Sequence, residues 1–240
     1  MRSGSEFYYL DSKNTTFSLY GNETSIQSEN MNPLYKTLQQ IYNTKQAQTY
    51  GMYNDQPPIN KGTPKKPKNT GHTKDEIFKI TKPWIYKGNG RYDETDSKVN
   101  GIFPFNSTGG DDLQVFAKSY SFGKDLYEDL VAGKLGDTLY TETWHSEYYC
   151  TDRVVDIEEI MFRDGYSFKS TQEHSKWAVT KHLNWTCIGD INRRESQFRR
   201  GGLTLCLNHA GVANEFRTLA FKLSNCNDRS GRKKNVCPEY

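Results

Sequence analysis

Residues 171–206 read TQEHSKWAVTKHLNWTCIGDINRRESQFRRGGLTLC. Two short apolar runs, 177–179 and 185–188, are each too brief for a stable helix and are flanked by polar turn formers, so they are expected as successive strands. His174 and Lys176 stand two residues apart at the mouth of the first run. In extended backbone, residues i and i+2 point to the same side. One imidazole and one ammonium would therefore face the same space. An imidazole can attack phosphorus or carry a proton near neutral pH. An ammonium beside it can hold phosphate oxygens and stabilise charge as it develops. A sharp turn, Gly189-Asp190-Ile191-Asn192, follows the second run, and Gly201-Gly202 is expected to give a tight, φ-positive bend before Cys206.

The same spacing occurs earlier in the chain as His72-Thr73-Lys74. Two such pairs meeting in one cleft would supply a nucleophile, a general acid and two phosphate clamps, with no metal required. A lone H-x-K is weak evidence, because a surface histidine beside a solvated lysine gives the same pattern. The context is more specific. GHTK (71–74), EHSKW (173–177), WTCIGDINR (185–193) and RGGLTLC (200–206) occur in this order, with YNDQPP (53–58) and FAKSYSFGKDLY (116–127) before the later ones. Together these motifs resemble the deoxyribonuclease II family, acid endonucleases of the phospholipase D superfamily, from about residue 8 to residue 226.

The resemblance implies an α/β fold with phospholipase D-like mixed sheets flanked by helices. It implies two pseudo-symmetric halves, here 1–81 and 82–240, that together form one domain with one H-x-K each. It further implies metal-independent, cofactor-free cleavage of DNA phosphodiesters at acid pH. In that scheme His72 and His174 are nucleophile and general acid, exchangeable by the pseudo-symmetry, while Lys74 and Lys176 hold the phosphate. Asn192 stands where phospholipase D enzymes carry a phosphate-holding Asn in a Gly-Ser-x-Asn element. An unperturbed imidazole titrates at about 6.5 and neighbouring cations lower that value, so one protonated and one neutral imidazole favour mildly acid pH. Disulfides Cys187–Cys206 and Cys150–Cys226 are implied by the same resemblance, leaving Cys237 over.

Two departures bear on activity. The acidic position seven residues after the histidine in the wider H-x-K-D pattern is Lys181 here, so the likeness is to deoxyribonuclease II rather than to that pattern. After about Ile80 the chain passes to Lys82-Pro83-Trp84-Ile85-Tyr86, which resembles a point well inside the second half, so several dozen residues of the first half are expected to be missing. The start, MRSGSEFYYLD, reads as the interior of a domain whose first strand is missing, and not as an apolar leader. Two expectations follow. One is an intact nuclease. The other is a catalytically impaired relative, or a shortened form of a longer enzyme, that binds nucleic acid or another partner without turning it over.

Composition narrows the setting. The formal charge is only +3 over 240 residues, so bulk charge does not announce a nucleic-acid binder. Its distribution says more: eight lysines fall between Lys61 and Lys87, around the first H-x-K, although Lys65, Lys66 and Lys68 equally suit a Pro-rich solvated loop. Arg193, Arg199 and Arg200 follow the second H-x-K and are expected to contact the DNA backbone without reading bases. The five cysteines form no C-x-x-C, and no metal-ligand spacing is present. Sequons at Asn14, Asn22, Asn106 and Asn184 point to a secreted or lysosomal glycoprotein, in which cysteines pair. No run of about 20 apolar residues is present to span a membrane.

The remaining elements follow from periodicity. A helix is expected from Asn32 as N-cap and Pro33 as first helical residue. Strands are expected over 49–53, 77–80, 113–119 and 138–144, a strand or short helix over 154–162, and helices over 123–132 and 208–223. His145, His182 and His209 read as structural.

Overall fold

The structure, a computed structural model, describes residues 6–11, 13–21, 32–42, 100–144 and 151–224. The expected strands over 49–53 and 77–80, the basic loop 60–70 and His145 lie outside the described residues. What is described is an α/β arrangement built on one mixed sheet. Its strands are β3 (Asn100–Asn106), β4 (Asp112–Lys118), β5 (Leu139–Thr143), β6 (Val154–Met161), β7 (Ser167–Lys169), β8 (Lys176–Thr180), β9 (Trp185–Gly189), β10 (Gly202–Asn208) and β11 (Ala220–Leu223). They lie in the order β11-β6-β5-β8-β9-β10-β4-β3, with β7 also paired to β6. Every neighbouring pair is antiparallel except β5 with β6.

Alternation along the strands divides the core into two layers. On β8, Ala178 faces one side while Trp177 and Val179 face the other, and all three are buried. The Ala178 side gathers Phe116, Leu139, Val154, Cys187 and Cys206, and is roofed by Leu126, Tyr127, Leu130 and Val131. Those four belong to or adjoin a π-helical segment, Tyr127–Ala132, that runs into one α-turn, Gly133–Leu135 (together α2). Gly136, at φ 71°, closes α2, so the segment runs past residue 132, where the sequence reading ended the helix. Asp125 starts the segment by accepting from the Tyr127 N–H at 2.9 Å.

The Trp177 side is roofed by the C-terminal helix Ala210–Leu219. Val212, Ala213, Phe216 and Leu219 point inward from it along one stripe, Phe216 lying four and three residues after the first two and Leu219 three further on. Phe216 meets Trp177 edge-on at 5.0 Å and Phe17 at 5.4 Å. His209 caps the helix, its Nδ1 accepting from the Val212 N–H, which bears out its reading as structural. The N-terminal ribbon of β1 (Phe7–Tyr9) and β2 (Ser18–Tyr20) packs on this side, with Tyr8 stacked on Phe162 and the Phe17 N–H donating to Glu215. Beyond the helix the same face continues as an apolar row, Ile188, Leu205, Val115 and Phe103 in register, of which Ile188 and Leu205 are exposed.

The N-terminal helix α1 (Pro33–Tyr42) starts as expected, with Asn32 Oδ1 accepting from the Tyr35 N–H at 2.6 Å. The last helix does not run to residue 223. It ends at Leu219, and Ala220–Leu223 turns into an edge strand against β6. No described helix is long and apolar enough to cross a membrane.

Candidate active site

Three stretches converge at one end of β5 and β8. Thr143, the last residue of β5, pairs with Lys176, the first of β8. The Thr143 hydroxyl oxygen in turn accepts from the Arg193 N–H at 3.2 Å, which brings in the loop after β9. Trp144 follows Thr143. Its ring stacks on the His174 imidazole at 5.1 Å with 20° between planes, and the Arg194 guanidinium carbon lies 5.1 Å from the indole centroid. His174 is exposed and Lys176 half-buried. The Lys176 ammonium donates back to the His174 carbonyl, which keeps the two ends of the H-x-K together.

The loop between β9 and β10 is held at its base by a disulfide. Cys187 and Cys206 lie directly opposite each other in the ladder and are bonded, as the resemblance implied. Cys150 and Cys226 lie outside the described residues, as do His72, Lys74 and Asn22. Within the loop a short helix, α3 (Glu195–Phe198), is fastened from below by Lys118. The buried Lys118 ammonium donates to the carbonyls of Gln197, Phe198 and Arg200 at 3.1, 2.8 and 2.6 Å. Burial pulls this amine down to about 8, against the opposing pull of the Asp125 and Asp190 carboxylates. Arg199 and Arg200 come out exposed at the end of that anchored helix. Gly202 is needed here for close approach rather than for a φ-positive bend: a Cβ would stand 2.8 Å from Asp190 Oδ1.

Arg193 has a different task from the phosphate contact expected of it. Its side chain is 1% exposed and lies between two carboxylates, with Nε donating to Asp125 Oδ2 at 2.8 Å and Nη1 to Asp156. Burial disfavours the cation, but the two carboxylates outweigh burial and hold it protonated. This trio ties α2, β6 and the β9–β10 loop together beneath the site. In near-extended backbone, neighbouring residues point to opposite sides, so Arg193 turns inward and Arg194 reaches Trp144.

Asn192 is also turned in, at 8% exposed, and its N–H donates to Gln197 Oε1 at 2.8 Å. Its Oδ1 is buried without a hydrogen-bond partner. A carboxamide oxygen accepts, so a half-turn about χ2 is what would present the NH2 to a phosphate oxygen.

Glu142, one residue before Thr143, is fully buried beside Trp177. The Ser170 hydroxyl lies 2.6 Å from its carboxyl and also contacts the Ile157 carbonyl. A hydroxyl has one proton, and a carbonyl can only accept. Ser170 shares this proton between the Ile157 carbonyl and the carboxyl of Glu142. Burial pushes its pKa up to about 8, with Glu173 and Asp156 adding to the rise and Ser170 and Lys176 opposing it.

Sequence reasoning did not single out Trp144 or Glu142 as site residues, and it placed Arg194 only within the basic cluster that follows the second H-x-K. Trp144 only ends an alternating run, and its meeting with His174 depends on β5 lying next to β8, which no local pattern specifies. Three of the sequon asparagines, Asn14, Asn106 and Asn184, are described and exposed. His182 sits in the exposed β8–β9 turn with Nδ1 against Asp137. No group of three or more metal-ligating side chains occurs among the described residues.

An exposed imidazole, an adjacent ammonium and the Arg194 guanidinium on a mixed α/β sheet define a site suited to an anionic, phosphate-like group. The family model described as Deoxyribonuclease II matches residues 1–79 and 75–226, and the chain belongs to the deoxyribonuclease II family. The two matched stretches meet where the sequence departs from the family's order. Plancitoxin-1 of Acanthaster planci is 39% identical over 119 residues, 46% of this chain and 33% of that protein. Deoxyribonuclease-2-alpha of Sus scrofa is 34% identical over 136 residues, 53% of this chain and 37% of that protein. A putative deoxyribonuclease-2 of Burkholderia thailandensis is 34% identical over 139 residues, 54% of this chain and 37% of that protein. The chain thus spans about a third of the length of the curated relatives it matches.

Proposed function

We propose that the chain is a metal-independent acid endonuclease that cleaves DNA phosphodiesters through its two H-x-K pairs. The observation that carries this reading is an exposed His174, tied to Lys176 and bordered by Arg194, in a member of the deoxyribonuclease II family. In the proposed course His72 attacks phosphorus, the P–O bond to the leaving strand breaks, and His174 gives that oxygen its proton. The phosphohistidine is then opened by water, with His174 taking the proton back. Lys74 and Lys176 would hold the non-bridging oxygens, with Asn192 assisting after its amide turns. Arg199 and Arg200, exposed on the loop that Lys118 anchors, would meet the backbone phosphates without reading bases. The two halves, 1–81 and 82–240, would be related by the pseudo-symmetry of the phospholipase D fold. The exposed sequon asparagines and the disulfide support a secreted or lysosomal setting.

The departure after Ile80 favours a second reading, a family member that retains nucleic acid without cleaving it. Plasmid nicking at pH 5 in EDTA, alongside His72→Ala and His174→Ala, separates the two. Nicking that survives the chelator and is lost in each variant supports the nuclease. A chain that shifts DNA in a gel and leaves the plasmid closed sinks that reading in favour of binding alone.

A further inference from the structure

We propose that Trp144 is a positioning residue of this site, one that fixes the His174 imidazole and the Arg194 guanidinium against a single indole ring; the proposal rests on the reading of His174 as a reacting group. The three side chains come from separate places in the chain: the end of β5, the approach to β8 and the loop after β9. Their convergence follows from the Thr143–Lys176 pairing and the Arg193 N–H contact to Thr143. The indole is half-buried, while the imidazole stacked on it is exposed. An exposed histidine would otherwise sample several rotamers, and a reacting nitrogen displaced by about an ångström loses much of its rate.

The ring also answers an electrostatic difficulty. With its imidazole protonated, as the role of general acid requires, His174 joins the Lys176 ammonium and the Arg194 guanidinium as like charges gathered in one place. Two of them, Arg194 and His174, lie within 5.1 Å of the indole centroid. The negative face of the indole attracts both cations, so they can sit close together before any phosphate arrives. Trp144 thereby prepares a pocket for a phosphodiester without itself exchanging a proton or forming a bond.

The test has one arm that needs no activity. In the full chain carrying ring-labelled histidine, the His174 resonance is assigned by its loss in His174→Gln. Lying near the indole face, it is expected upfield of that of the exposed His182. Trp144→Ala should return it to the ordinary range, and Trp144→Phe should keep part of the displacement. A His174 resonance that does not move in Trp144→Ala overturns the proposal. In the second arm, nicking at pH 5 in EDTA, Trp144→Ala should lower kcat about 10- to 100-fold with KM changed less than about threefold, and Trp144→Phe should recover most of it. An unchanged kcat, or a loss confined to KM, also overturns the proposal. If His174→Ala nicks as well as the unsubstituted chain, the catalytic reading of His174 falls and takes the catalytic role of Trp144 with it. The resonance arm still decides whether the indole fixes the imidazole.

Discussion

Replacing Glu142 by glutamine should stabilise the protein at neutral pH and leave it unchanged in acid. In the unfolded chain this carboxyl titrates at its ordinary value of 4.5, and in the fold at about 8. Between those values the unfolded state has released a proton that the folded state keeps, so stability falls as pH rises. The contribution is whole below 4.5, declines through neutrality, and is fully lost by about 8. At about 1.36 kcal/mol per unit, the loss is roughly 3 kcal/mol on going from pH 4.5 to 7. Glutamine cannot ionise, yet its Oε1 can accept from the Ser170 hydroxyl as the carboxyl does. Thermal unfolding of both chains across pH 4–8 should give equal midpoints at the acid end. At pH 7.5 the loss is about 4 kcal/mol, so the Glu142→Gln midpoint should be higher by about 8–16 °C, since a kilocalorie moves the midpoint by about 2–4 °C at this size. A midpoint difference that stays constant with pH would refute the assignment of Glu142 as a neutral carboxyl.

Other perturbations have equally definite outcomes. Arg193→Met leaves Asp125 and Asp156 buried without their cation and should cost about 3–5 kcal/mol in urea unfolding, whereas the exposed Arg199→Ala should stay within about 0.5 kcal/mol. Replacing both Cys187 and Cys206 by alanine opens the loop that carries residues 190–201 and should cost about 3 kcal/mol, checked by urea unfolding of parent and variant without reductant. Asp137 accepts from the N–H groups of His182, Leu183 and Thr138 at 2.7, 2.8 and 2.8 Å. Burial would raise its pKa, but these donors and the His182 ring outweigh burial and hold it below the ordinary value. A depressed carboxylate stabilises above its unfolded value and loses that contribution as pH falls through the folded one. Asp137→Ala should therefore cost about 1–3 kcal/mol at pH 6, and unfolding followed down to about pH 2 should show the difference shrinking.

Local chemistry was legible where one residue decides the outcome. Asn32 followed by Pro33 specified the start of α1, and Asn32 Oδ1 meets the Tyr35 N–H there. The short apolar runs around Ala178 and Cys187 specified strands, and the strands appear as β8 and β9. The end of the last helix was not legible, because residues 220–223 continue an apolar pattern compatible with either state, and only pairing with β6 decides it. β3 was missed because its partner β4, not its own sequence, fixes it in the sheet. At the site the H-x-K could be read, but the direction of each arginine could not. Arg193 and Arg194 are adjacent and chemically identical, and the two buried carboxylates that claim Arg193 come from residues 125 and 156. Nor could Glu142 be recognised as neutral, since its pKa is set by the packing of β5 against β8 and by Ser170.

The central claim is that phosphorus passes through a histidine. The stereochemical course of cleavage tests it directly, using a DNA phosphorothioate of defined configuration hydrolysed at pH 5 in water enriched in oxygen-18. Two successive in-line displacements, one by histidine and one by water, invert the centre twice and predict net retention. Net inversion would mean that water attacks the diester in a single step, and would contradict the covalent route.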